Sequence, residues 1–227
     1  VKFDILGLRT LSVVNDVCSS LGIDVDDINP HDPLIYTALS NLQSPQGLFQ
    51  IEADTNFKVC QSIAPRNLEQ LSAVVAIARP GALDFKDRYA EYVKTGESQS
   101  VHEFFDSVLN YTGGIPLYQE QLMKMAVKVG FSLDEAEQLR RIVGKKKIDQ
   151  MPAWKTKITE KVGQLENPDP AIADVLWKGA GDSANYSFNK SHSISYAYLA
   201  AITVYLKFKY PQQFFSSLLK FTKFEPN

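Results

Sequence analysis

Apolar residues recur at spacings of three and four in segment after segment of this sequence, and the intervals between segments carry Gly, Pro and Asn. That period lines one face of a helix and does not suit a strand, whose faces repeat every two residues. It predicts helices over Thr10 to Leu21, Pro33 to Asn41, Leu68 to Ile77, Val101 to Leu109, Tyr118 to Val129, Asp134 to Val143, Lys155 to Val162, Ala171 to Lys178 and His192 to Leu219. In the first of these, Leu11, Val14, Cys18 and Leu21 share a face, with Thr10 as the expected N-cap and Gly22 as the stop. Ser132 and Glu135 have the S-x-x-E spacing of a capping box ahead of the Asp134 helix. Val1 to Leu8, VKFDILGL, is the exception: its β-branched and aromatic start followed by Gly7 suits a short strand running into a helix. The expected fold class is therefore mainly α, with a short strand at the start.

The apolar run Ile194 to Phe208 is broken by Ser195, Thr203 and Lys207 and falls short of the ~20 residues of a membrane span, so it is expected to be a buried helix. A formal net charge of -2 over 227 residues gives no global pull on a polyanion, so any nucleic-acid surface must come from local clustering. Cys18 and Cys60 form no CxxC and no zinc spacing, which suits a reducing, cytoplasmic setting. The chain lacks GxSxG, HExxH, GxGxxG and GxxxxGK[ST], and His31, His102 and His192 have no nucleophile partner in their surroundings. A start on Val1 suits a fragment or one part of a split protein.

Four features could carry chemistry. Arg140, Arg141, Lys145, Lys146 and Lys147 put five cations within eight residues at a helix end, with Gly144 expected to end the helix and free the lysines. Cations favour a helix C-terminus, but that accounts for one or two of them, and arginine forks with mobile lysines suit phosphate. A solvated basic face fits the same spacing. The stretch Tyr186 to Tyr198 mixes Lys190, His192, hydroxyls and rings, which suits a nucleotide pocket. It also fits Ser191 as an N-cap with Tyr196 and Tyr198 in the core. Arg79 precedes Pro80-Gly81, expected as a type II turn, and would sit on a rigid corner fit for an anion or a surface ion pair. Asp4 lies in the predicted strand, where an inward carboxylate needs a partner or a metal. Asp24, Asp26 and Asp27 lie among turn residues and are expected to be a solvated loop.

Taken together, six ordered stretches resemble the α subunit of bacterial DNA polymerase III, a C-family polymerase: VKFDILGLRTL, GLFQIE, ARPG, YQEQLMKMA, GFSLDEAEQLRRIVGKKK and FNKSHSISYAY. The closing YLKFKYPQQFFSSLL resembles that family's long last fingers helix. The resemblance implies a last palm strand over residues 1–9 and an α-helical fingers domain over 10–227. Asp4 would match one of three metal-binding palm aspartates and serve two Mg²⁺ ions in a complete active site. Arg140, Arg141 and the lysines from Lys145 would face the incoming deoxynucleoside triphosphate, with Asn189, Lys190, Ser191 and His192 on the opposite wall and Arg79 as a further nucleotide-binding residue. The implied partners are DNA template-primer, deoxynucleotide and a palm-bearing segment, with no membrane. The family's D-x-D aspartate pair has no counterpart ahead of Val1, so the chain is expected to be inactive alone. The alternative is a non-catalytic nucleic-acid-binding or replisome assembly module with the fingers fold. Ile142 and Val143, where Ala-Met is frequent, and Ser193 to Ser195 suit a divergent member.

Overall fold

The computed structural model describes residues 2–186 and 188–222, with side chains from residue 7 onward except those of residues 185 and 186. Within these residues lie twelve α-helices: α1 Lys2–Leu21, α2 Pro33–Asn41, α3 Asp54–Ile63, α4 Leu68–Ile77, α5 Lys86–Thr95, α6 Asp106–Leu109, α7 Gln119–Val129, α8 Leu133–Gly144, α9 Met151–Gly163, α10 Pro170–Tyr186, α11 Lys190–Lys209 and α12 Pro211–Thr222. The mainly α expectation holds. The chain forms two compact units, one of residues 1–75 with 193–227 and one of residues 76–192.

The strand expected over Val1 to Leu8 is not formed, because residues 2–8 are the first turns of α1. A strand takes its hydrogen bonds from a neighbour, and the sole β-pairing among the described residues is an isolated bridge between Tyr118 and Phe188. A helix satisfies its own backbone. Thr10 is thus interior to α1 rather than its cap. Gly22 does stop the helix: it adopts a φ of 68°, and Ile23 N–H donates to Cys18 O at 3.0 Å in a Schellman closure. The single helix expected from His192 to Leu219 breaks at Tyr210, because Pro211 lacks an N–H and disfavours helical geometry in the residue before it. Asp24 Oδ1 accepts from Asp26 N–H at 3.0 Å, as the turn assignment of that acidic run requires.

In the first unit, Val13, Val14 and Val17 of α1 pack with Ile202 and Leu206 of α11 and Phe214 of α12. Burial here pushes the Cys60 thiol up to about 12, so it behaves as an inert apolar group. The apolar helix expected after Ile194 is buried from Ala197 to Lys207 on its inner face. Lys207 is only 6% exposed, and its ammonium donates to the Ser44 and Gln46 carbonyls at 2.7 and 2.8 Å. Those carbonyls offset the cost of taking a cation out of water.

The second unit is built on α7 to α10, whose core includes Leu122, Met125, Leu139, Trp154, Ile158 and Leu176. Gln121 is fully buried at the entry to α7. Its Oε1 accepts from Leu117 and Tyr118 N–H, both at 2.9 Å, while its Nε2 donates to Thr112 Oγ1 at 2.7 Å. That network fixes the turn ahead of α7. The turn then receives the bridge: Phe188 N–H donates to Leu117 O at 3.4 Å, and Gln119 N–H donates to Phe188 O at 3.1 Å.

Candidate nucleotide-binding site

Every site residue expected from the sequence except Asp4 lies in the second unit. The Asp4 side chain falls outside the described residues. The others form two groupings.

The first grouping surrounds the start of α11. Asn189, not Ser191, is the N-cap: its Oδ1 accepts from His192 N–H at 3.1 Å. Asn is among the strongest caps because its short side chain reaches back to the third helical amide. Ser191 lies exposed in the first turn, and Tyr198 is exposed too rather than in the core. Lys190 N–H points at the Glu120 carboxylate, 3.2 and 3.3 Å from its two oxygens, so an acid of α7 meets the positive end of α11. The Lys190 ammonium lies 4.6 Å from the centre of the Tyr111 ring and 5.9 Å from that of Tyr118.

Phe188 ties this turn to Arg79. The guanidinium of Arg79 stands 4.5 Å over the Phe188 ring, and the His192 imidazole lies 5.4 Å from it on centroids. Contacts of this kind contribute about 0.5–1 kcal/mol at exposed sites, enough to bias the arginine rather than lock it. The Arg79 corner is closed by Ala82 N–H donating to Arg79 O at 2.9 Å. Gly81 is not among the left-handed glycines, so the corner is not the type II turn that Pro-Gly suggests.

The second grouping is the end of α8. The capping box expected there is present, with Ser132 Oγ accepting from Glu135 N–H and Glu135 Oε1 accepting from Ser132 N–H, both at 3.1 Å. Leu139 and Val143 bury the inner face of α8. On the other face, Glu137 takes both arginines: Arg140 Nε donates to its Oε2 at 3.1 Å and Arg140 Nη2 to its Oε1, while Arg141 Nε donates to Oε1 at 3.2 Å. The Arg140 hydrogen bonds hold the Glu137 carboxyl below its ordinary value, and Glu137 raises the Arg140 guanidinium in turn. Both directions favour the charged forms of Glu137 and Arg140. Lys145 is the C-cap, and Lys145, Lys146 and Lys147 are exposed. Gly144 is the last helical residue, but the left-handed position falls on Lys146, at a φ of 50°.

Glu120, Glu137, Phe188, Tyr111 and Tyr118 were not singled out from the sequence. Glu137 had a visible signal, since it stands three and four residues before the paired arginines. Phe188 stands in the ring-bearing stretch Tyr186 to Tyr198, but its pairing with Arg79, more than a hundred residues away, has no signal in the sequence. As for metal, no group of three or more His, Cys, Asp or Glu side chains among the described residues is placed to hold an ion. No described helix is long and apolar enough to cross a membrane. Cations on two elements, ring faces and a helix N-terminus are what a phosphate-bearing aromatic ligand requires.

The chain matches the family of the bacterial DNA polymerase III alpha subunit finger domain over residues 9–166. It is 34% identical over 232 residues to the DNA polymerase III subunit alpha of Thermus aquaticus, covering 96% of this chain and 19% of that protein. It is 34% identical to that of Aquifex aeolicus, over 95% of this chain and 19% of the relative. For Campylobacter jejuni the figures are 35%, 96% and 19%. The chain therefore spans about a fifth of the length of these curated relatives.

Proposed function

This chain belongs to the bacterial DNA polymerase III alpha subunit finger-domain family, and on that premise we propose that it serves a DNA-directed DNA polymerase by holding the incoming deoxynucleoside triphosphate and the template-primer. The gathering of Arg79, His192 and the Lys190 turn around Phe188 is the observation that supports this reading most directly. Two walls face the nucleotide. Arg140, Arg141 and Lys145 take the triphosphate oxygens, and Arg79 with Asn189, Lys190, Ser191 and His192 forms the other side.

Nucleotidyl transfer joins a primer 3′ oxygen to the α-phosphorus and breaks the bond to pyrophosphate. The cations of this chain hold the chain of phosphates in line and offset the charge that builds on the leaving group. Two Mg²⁺ ions would supply further charge neutralisation when bound. The described residues do not form a site for them. Asp4 is proposed as one donor, completed by carboxylates of a palm-bearing segment.

Primer extension by the chain combined with a palm-bearing segment tests the reading. Arg140→Ala should raise the apparent KM for deoxynucleotide about tenfold, the loss of one charge-assisted hydrogen bond. An unchanged KM removes Arg140 from the grip.

A further inference from the structure

We propose that Glu137 is a positioning residue, which holds Arg140 by one edge of its guanidinium and presents the other edge to phosphate. This rests on the triphosphate reading above. A guanidinium is planar and carries five N–H groups in a fixed fork, so its side edge and its end edge can each bind an oxyanion. Glu137 occupies the side edge of Arg140, with one oxygen on Nε and one on Nη2. Among the described residues no protein group takes Nη1, so the end edge, formed by Nη1 and the second hydrogen of Nη2, stays uncommitted. The Arg140 side chain is 33% exposed, so it is in part open to solvent.

Arg141 is held less firmly. Only its Nε meets Glu137, and its side chain is 64% exposed. The acid therefore fixes one arginine and tethers its neighbour. The platform beneath them is rigid, because the capping box closes the start of α8 and Leu139 and Val143 anchor its inner face.

Two physical effects of Glu137 on an approaching triphosphate have opposite signs. Its charge repels the ligand, weakly, since exposed charges are screened within about 10 Å at 0.1 M salt. Its bidentate grip removes rotamer freedom from Arg140 before the ligand arrives, which spares that loss on binding. With the carboxylate held on the far edge of the arginine, pre-organisation outweighs repulsion. The sign of the Glu137 effect is therefore diagnostic.

The test is calorimetric titration of inorganic triphosphate into the 227-residue chain and into Glu137→Ala, Glu137→Gln and Arg140→Ala variants. Glu137→Ala should weaken binding about threefold to tenfold, the cost of ordering one arginine on binding. Glu137→Gln, which keeps a carbonyl acceptor, should fall between it and wild type. A purely structural ion pair would lower the melting temperature and leave the dissociation constant alone, and that result overturns the proposal. So does equal or tighter binding by Glu137→Ala. If that variant loses helical signal, the isosteric Glu137→Gln decides by the same criterion. Arg140→Ala separates the two levels of inference: binding as strong as wild type means the triphosphate reading itself fails, whatever Glu137 does.

Discussion

Lys146 sits in the left-handed region with a φ of 50°, where an L side chain crowds its own carbonyl. The closure around it is a Schellman motif, with Lys147 N–H donating to Ile142 O and Lys146 N–H to Val143 O, both at 3.1 Å. α1 ends in the same way, but there the left-handed residue is Gly22. The sequence does offer a glycine at the end of α8, yet Gly144 falls two positions too early and stays helical. Lys146→Gly should therefore stabilise the chain by about 0.5–1 kcal/mol, read as a higher urea midpoint at unchanged slope. The side chain that bears this strain belongs to the basic cluster, and strained backbone concentrates at functional positions.

α8 shows at the level of one element why some helices were legible. Its start announces itself in Ser132 and Glu135, and its apolar period is clean. Ser132→Ala should cost about 1 kcal/mol in urea unfolding, because Glu135 N–H loses its acceptor while α8 keeps its packed face. α5 announces nothing of the kind. Its sequence KDRYAEYVKT buries only Tyr89 and Val93, and no side chain caps its start. α3 likewise begins at Ala53 without a side-chain cap. Neither start carries a side-chain cap, and the one clear local mark of α5 is its stop at Gly96, with a φ of 73°. The opening segment failed in the other sense: its β-branched content suggested a strand, whereas strand formation depends on a partner that no composition can supply. The break between α11 and α12 was readable at Pro211, and the apolar run on either side of it masked the signal.

At the scale of the whole molecule, the shifted groups among the described residues that govern stability in acid are carboxylates. The hydrogen bond to Ser217, with help from Lys220, holds Asp16 low, Arg140 does so for Glu137, and His102 for Asp169. Groups depressed in the folded state stabilise it above their unfolded values, and that stability is lost as pH falls through the folded ones. Asp182, raised by burial, acts in the opposite sense and offsets part of the loss. With ordinary values of 3.8 and 4.5 for Asp and Glu, the urea midpoint should be flat near neutrality and decline below about pH 4.5. A midpoint that rises on acidification would mean that burial, not pairing, governs these acids. In the candidate site, the cations, the helix ends and the spacing of Glu137 to its two arginines could be read from the sequence, while the contact of Glu120 with the start of α11 emerges only when the helices are placed.

The bridge between Tyr118 and Phe188 is one residue wide, so it has no adjoining ladder to cooperate with. Opening it breaks two backbone hydrogen bonds, beside the Lys190 contact with Glu120, and needs no melting of a sheet. The amides of Gln119 and Phe188 are then built-in clocks. Their exchange with deuterated solvent counts how often the bridge itself opens.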